Sequence, residues 1–391
     1  MSHTPTNAGA VPPIAPRSIE TFTDWRAWLA HQSFRDAHPV TAPPRPKRGI
    51  SQANLMRLQA QRLHIAHNIP TLMPHRVAAA FEEMKKTIDA GLFNERPGVN
   101  AGVALSAPSA IGKTTLARET GRWVEHNLAS LQDVVPNFQS RAISEPIPVA
   151  YVRMPPKVTL KGLCQRIAAY YGEGGITDRT TEENLVKRIH RLVAECDTRV
   201  MFIDDVTRVR LGREADVEAI NLFRDLLEAS VVFVLIGIDI ENSGLLTHSL
   251  DSHRNQLMGQ MRRFDVVPLT PFAYDTADDI AEWRTYLAEL QNHLPLWKLA
   301  PGTLADNLDD LLFHHTQGVI GALHHLVGAA TAAAIRDGSE TLNRRSINQA
   351  ANSHQSRLHE LLTADDRSGT TPPVKRTRKS RNNTYSQRAA S

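Results

Sequence analysis

Ala107-Pro-Ser-Ala-Ile-Gly-Lys-Thr-Thr115 decides how this chain is read. A short apolar run, Val103-Ala-Leu-Ser106, precedes it, and a helical pattern beginning Leu116-Ala-Arg-Glu follows. Strand, loop and helix in that order are the setting of a phosphate-binding loop. Backbone N–H groups of such a loop, with the helix N-terminus, cradle phosphate oxygens. Lys113 would reach the outer phosphates as a point charge, and the Thr114 hydroxyl would ligate Mg²⁺. Ala107, Pro108, Ser109, Ala110, Ile111, Gly112, Lys113, Thr114 and Thr115 are therefore the candidate ATP-binding residues. The usual pattern, G-x-x-x-x-G-K-[ST], has glycine where Ala107 stands. Alanine disfavours the left-handed backbone angles that glycine takes freely, so a cost is expected at Ala107.

A second motif lies downstream. Leu185, Ile189, Leu192 and Val193 recur at helical spacing, and Arg199-Val-Met-Phe-Ile-Asp-Asp205 follows. An apolar run ending in a carboxylate reads as a buried parallel strand with its acid at the C-terminal edge, a Walker B pattern. Asp204 is the candidate partner of Thr114 in holding Mg²⁺. Asp205 is the candidate for orienting the attacking water. Its side chain is one methylene shorter than glutamate, so slow hydrolysis with near-normal ATP binding is expected.

Bulk properties set bounds. A chain of 391 residues has length for two or three domains. It holds no run of eighteen apolar residues, so no membrane span is expected. Its first residues lack a basic start and apolar core, so no secretion signal is read there. Cys164 and Cys196 show no metal-ligand spacing, and a reduced, cytoplasmic setting is the default expectation. Net charge is +4, yet Lys375, Arg376, Arg378, Lys379, Arg381 and Arg388 follow Arg367 without an acid. The rest of the chain is thus net acidic. The basic tail is rich in Ser, Thr, Asn and Pro, is expected to be disordered, and suits either phosphate contacts with nucleic acid or a solubilising role without a partner.

Five sections are expected. Residues 1–50 form an extension, partly disordered, with one aromatic helix marked by Phe22, Trp25, Trp28 and Leu29. A stiff Pro-rich linker spans 39–46. That helix has two open destinations, a partner protein or the chain's own core. Residues 51–98 read as two helices, the second carrying Val77, Phe81, Met84 and Ile88, closed by the Arg96-Pro-Gly98 turn. Residues 99–271 alternate strands, at 103–106, 147–154, 200–203, 231–238 and 264–269, with helical patterns such as Val217, Ile220, Phe223 and Leu227. Such alternation indicates an α/β fold, a parallel five-stranded sheet covered by helices. Residues 272–363 read as all-helical, with Trp283, Tyr286 and Leu290 on one helix and Gly338 stopping another. Residues 364–391 are the basic tail.

Several stretches resemble one family. Pro148-Val-Ala-Tyr-Val-Arg-Met-Pro155 and the helix Leu160-Lys-Gly-Leu-Cys-Gln-Arg-Ile-Ala-Ala-Tyr-Tyr-Gly172 are two. Ile203-Asp-Asp-Val-Thr-Arg208, Phe233-Val-Leu-Ile-Gly-Ile-Asp239, Arg262-Arg-Phe264 and Thr316-Gln-Gly-Val-Ile-Gly-Ala-Leu323 are the others. Their order and spacing over residues 70–350 are similar to the TniB/TnsC-type AAA+ ATPases of DNA transposons. The resemblance implies an αβα P-loop AAA+ core, a C-terminal helical lid, ATP and Mg²⁺ as cofactors, and a homo-oligomeric ring or filament. It implies double-stranded DNA and a transposase as partners, with a target-selection protein as a further one. It implies an arginine finger, for which Arg262 and Arg263 are candidates, and a sensor at the fourth strand's end, where Asp239 is the nearest polar residue. The lid segment Gly318-Val-Ile-Gly321 has no arginine where many AAA+ proteins carry one, which implies weaker nucleotide sensing by the lid.

The expected function is an ATP-dependent transposition regulator that assembles on DNA, with hydrolysis as a disassembly timer. Two alternatives stand beside it: another AAA+ role, such as a helicase loader or phage-defence ATPase, and a non-hydrolysing nucleotide-binding adaptor. The pairs His314-His315 and His324-His325 lack convergent Cys or Asp ligands and read as packing and surface residues. Ser109 follows no G-x-S-x-G pattern, so no hydrolase elbow is indicated.

Overall fold

The structure is a computed structural model. It describes residues 13–39, 41–46, 49–70, 72–94, 102–132, 140, 142–154, 160–173, 180–206, 231–241 and 264–363. The Arg96-Pro-Gly98 turn, the helical pattern from Val217 to Leu227, Arg262, Arg263, residues 1–12 and the basic tail lie outside the described residues.

Five parallel strands form one sheet. They are β1 (Gly102–Ser106), β2 (Val149–Arg153), β3 (Val200–Asp204), β4 (Val232–Gly237) and β5 (Phe264–Pro268). The order is β2-β3-β4-β1-β5. Every residue of β1, β3 and β4 is buried. That explains their near-continuous Val, Ile, Leu and Phe runs, since a parallel sheet is covered on both faces. Edge strand β5 is only partly covered, with Phe264 and Val267 buried and Asp265, Val266 and Pro268 exposed. Register pairs Ser106 with Gly237 and Arg153 with Asp204, so the loop after β1 and the acid ending β3 share one end of the sheet. Ligands bind at the carboxyl ends of strands in open α/β sheets.

Helices α1 (Phe22–Ala37), α2 (Gln52–His67) and α3 (His75–Leu92) precede the sheet. Helices α4 (Lys113–Gln132), α5 (Leu160–Tyr170) and α6 (Glu182–Glu195) are interleaved with its strands. After β5 come α7 (Ala277–Asn292), α8 (Thr303–Asn307), α9 (Asp309–Thr316), α10 (Ile320–Asp337), α11 (Arg344–Ser353) and α12 (Gln355–Thr363). Side-chain caps define several starts: Thr21 and Thr276 form capping boxes with Asp24 and Asp279, and Ser51 and Thr181 cap α2 and α6. Gly338, with φ of 76°, stops α10. No single described helix is long and apolar enough to cross a membrane. Cys164 and Cys196 are buried free thiols.

Two large buried cores form among the described residues, with a third, small cluster of Ala66, Ala332 and Ile335 between α2 and α10. The first lies about the sheet and includes Met84, Ile88, Phe202 and Phe233. The second lies among the C-terminal helices and includes Trp283, Tyr286, Leu323 and Leu326. Ile320 packs against both.

The N-terminal segment touches both cores. Of the two destinations open to α1, the structure shows the chain's own sheet core: Trp25 is fully buried and Trp28 nearly so. Trp25 and Trp28 stack at 5.1 Å. Helix α2 instead lies on α10, where a Cβ at Gly328 would come 2.6 Å from the Ala66 carbonyl oxygen. Arg62 of α2 is 1% exposed and ion-paired with Glu340. The guanidinium also donates to the Pro295 carbonyl and lies 3.5 Å from the Trp297 ring centroid. Trp297 in turn donates to the Pro43 carbonyl of the Pro-rich linker at 3.0 Å.

His324 of α10 stacks on Tyr286, with Nε2 2.8 Å from the tyrosine hydroxyl. The residue keeps some surface, but its ring is enclosed, and burial lowers its pKa from 6.5 to about 4. The unfolded chain therefore takes up this proton first as pH falls. Stability is full above about pH 6.5 and declines toward pH 4, by at most roughly 3 kcal/mol. Urea unfolding at pH 7 and pH 4.5 checks this: the loss between the two pH values is expected to shrink in His324→Gln.

Candidate functional site

β1 delivers the chain into the loop at Ala107, and α4 begins at Lys113. The Ala107 N–H donates to the Gly237 carbonyl at 3.1 Å, which seats the loop against the end of β4. Left-handed backbone occurs at Ala110 (φ 59°) and Gly112 (φ 101°), and Ala107 is not among the positive-φ residues. The cost expected at Ala107 is thus absent, because that position never needed glycine's angles. It falls instead on Ala110, where an L-residue pays about 1–2 kcal/mol. Turn geometry running into the N-terminus of a 20-residue helix makes an anion-binding concavity. Lys113 lies over this loop, its Nζ donating to the carbonyls of Ala107 (2.6 Å) and Pro108 (2.5 Å).

Thr114 and Asp204 are brought together. The threonine hydroxyl donates to Asp204 Oδ2 at 3.2 Å. Both donors are hard oxygens from rigid elements, which fits Mg²⁺ with phosphate oxygens completing the shell. No group of three or more His, Cys, Asp or Glu among the described residues can hold a metal by itself. Asp204 is 5% exposed. Its Oδ1 accepts the Asp205 N–H at 2.9 Å, and its Oδ2 also accepts the Tyr151 hydroxyl at 2.7 Å.

Asp205 has left-handed backbone (φ 62°) and points its carboxylate along the sheet toward β2. There Oδ2 accepts from Arg153 Nε at 2.9 Å. That hydrogen bond holds the Arg153 guanidinium above its ordinary pKa. Asp239 occupies an exposed turn two residues beyond β4, with φ of 49°. Ser106 fastens that turn, donating to Glu241 and accepting the Ile240 N–H at 3.1 Å. Arg262 and Arg263 lie outside the described residues.

The arginine-free lid segment meets the loop through its backbone. The Gly321 N–H at the start of α10 donates to the Ala110 carbonyl at 2.8 Å. A Cβ at Gly321 would stand 2.6 Å from that oxygen and 3.1 Å from the Ala110 Cβ. Neither obstacle is a flexible side chain. Gly321→Ala is therefore expected to cost about 1–3 kcal/mol by overpacking, read as a lower denaturant midpoint.

Sequence reasoning missed Tyr151, Arg153, Ser106 and Gly321. Arg153 carried a signal, being the charged end of a strand whose neighbour ends in two acids.

No curated protein sequence matches the chain. Among solved structures, the Aeropyrum pernix ORC1 protein in complex with DNA is similar at 17% identity and a TM-score of 0.53, covering 78% of this chain and 72% of that one. The Aeropyrum pernix ORC2 protein in ADPNP and ADP complexes is similar at 14% identity and a TM-score of 0.50, covering 73% and 71%. These likenesses concern the fold. Residues 100–245 match the model of the AAA domain family. Loop, sheet order and helical C-terminus agree with that match: residues 100–245 are similar to an AAA domain, and the chain has a P-loop AAA+ fold.

Proposed function

We propose that this protein is an ATP-driven switch that assembles on double-stranded DNA and regulates transposition by recruiting or activating a transposase. The observation that carries the nucleotide part is the 3.2 Å apposition of Thr114 and Asp204 beside a helix-opening lysine. The loop from Ala107 to Thr115 binds the phosphates, Lys113 neutralises the outer ones, and Thr114 with Asp204 holds Mg²⁺. Mg²⁺, when bound, would supply positive charge that stabilises the phosphate oxygens. Asp205 orients water, and Arg262 or Arg263 of a neighbouring copy serves as the finger. Hydrolysis is slow because Asp205 is short and shares its carboxylate with Arg153. The adjoining Asp239 turn is the sensor region. Nucleotide then acts as the switch and chemistry as its timer.

The DNA part is supported by the basic tail and by the fold shared with ORC1, whose solved structure contains DNA. Contacts are mostly to phosphate and tolerant of sequence. The transposition part rests on the ordered segments between residues 70 and 350. The ORC likeness favours a second reading, a replication initiator or helicase loader.

Fluorescence anisotropy with duplex DNA, with ATP–Mg²⁺ and without nucleotide, tests the switch. Cooperative binding that requires ATP is expected. Binding indifferent to ATP would reduce the protein to a tail-driven DNA binder or an adaptor. Finding a transposase gene beside this one, and stimulation of that enzyme's strand transfer, would separate the first reading from the second.

A further inference from the structure

Tyr151 belongs to no motif of the nucleotide site, yet it touches the Walker B acid. It stands on β2 and is 2% exposed. Its hydroxyl donates to Asp204 Oδ2 at 2.7 Å, shorter than the 3.2 Å bond from Thr114 to the same oxygen. Facing a carboxylate oxygen, the hydroxyl is the donor of this bond. Thr114 is itself expected to turn toward the cation. Among the described residues, Tyr151 is then the side-chain donor left to fix the Asp204 carboxylate.

The phenol ring has little freedom. Phe202 stacks on it at 6.1 Å and 20°. Trp25 of α1 stacks on it at 6.1 Å and 8°, and the Arg118 guanidinium lies 5.6 Å from its centroid. Trp25 is locked in turn. Its Nε1–H donates to Glu125 at 3.0 Å. Its ring occupies a notch on α4, where a Cβ at Gly121 would lie 2.8 Å away. Contacts therefore run unbroken from α1 through Trp25 and Tyr151 to Asp204.

We propose that Tyr151 is a positioning residue that holds Asp204 in its metal-binding orientation, with Trp25 of α1 as the plate that holds Tyr151. The inference rests on the nucleotide reading above. Hydrogen-bond partners of ligating carboxylates tune metal sites, and removing one typically costs about 10–100-fold in metal affinity or activity. The N-terminal helix thereby becomes part of the Mg²⁺ site's support, acting through Tyr151.

The test measures binding of a fluorescent ADP analogue to the full chain in EDTA and across a Mg²⁺ titration. Tyr151→Phe keeps the stacked ring and removes the hydroxyl. It is expected to match the wild type in EDTA while requiring about tenfold more Mg²⁺ or above for half-saturation. Without Mg²⁺ its melting curve stays close to wild type, and in turnover kcat falls while KM for ATP holds. Trp25→Leu is expected to shift the Mg²⁺ requirement in the same direction, and to add nothing further in a Tyr151→Phe background, because both act through one hydroxyl. A Tyr151→Phe protein with an unchanged Mg²⁺ requirement overturns the proposal. Additive Trp25→Leu and Tyr151→Phe effects overturn the coupling to α1. Should the wild type bind no nucleotide at any Mg²⁺ concentration, the nucleotide reading itself falls, and this inference with it.

Discussion

Lys113→Ala is expected to weaken ATP binding by about 100-fold or more and to abolish ATP-dependent assembly on DNA. Lys113 opens α4 and is the cation lying along the loop, with Nζ on the Ala107 and Pro108 carbonyls. Hydrogen bonds to charged groups contribute about 1.5–3 kcal/mol each, and roughly 3 kcal/mol is about 100-fold in affinity. The loss is electrostatic and local, so folding should survive it. Lys113 is only half-buried, and the loop is anchored separately by the bonds from Ala107 to Gly237 and from Gly321 to Ala110. Isothermal calorimetry with ATP, alongside a urea titration, separates the two effects. Nucleotide-independent assemblies persisting in the variant would count against the switch, and wild-type ATP affinity would remove the loop from the mechanism.

Arg62→Ala carries the largest stability effect expected in the described residues, a loss of about 3–5 kcal/mol. The reason is asymmetry. Removing the guanidinium leaves Glu340 buried with its side chain 10% exposed, and strips the Pro295 carbonyl of its donors. The Trp297 backbone N–H, 3.4 Å from Glu340, is a poor substitute. Trp297 also loses the cation stacked on it. Replacing both Arg62 and Glu340 by methionine should recover much of the loss, since an apolar pair leaves no uncompensated charge. Urea midpoints of the single and double variants measure this. A single variant within about 1 kcal/mol of wild type would show that water reaches Glu340 and that the pair is not buried in solution.

Much of the fold was legible because a parallel sheet buried on both faces forces continuous apolar runs. Each of the five expected strands lies within two residues of an observed one, and the acid closing the third run emerges where the sheet's carboxyl end demands. The loop was legible because spacing alone places Lys113 and Thr114 at a helix start. Backbone angle was not: the expected cost at Ala107 belongs to Ala110, and nothing in residue type says which of two alanines turns left-handed. The aromatic stripe of α1 declared that it would be buried but not against what. Its notch depends on Gly121, whose missing side chain has no periodicity to read. Tyr151 reads as one more core residue of an apolar strand. Its role depends on a hydroxyl partner 53 residues away, and no local pattern encodes that. The sequence singles out no role for Arg62, because its acid partner is 278 residues distant.

The docking of α1 also has a consequence for biosynthesis. Trp25 emerges from the ribosome 100 residues before Glu125, its hydrogen-bond partner, and earlier still than Tyr151 and Phe202. At about 5–20 residues per second, that is roughly 5–20 s before even the first of these surfaces exists. Throughout that interval a helix bearing two tryptophans has nowhere to bury them. The nascent chain should therefore be a client of hydrophobic-binding chaperones early in translation. A messenger that pauses between the codons for α1 and β3 should lose more of its product to aggregation than one that pauses after β5.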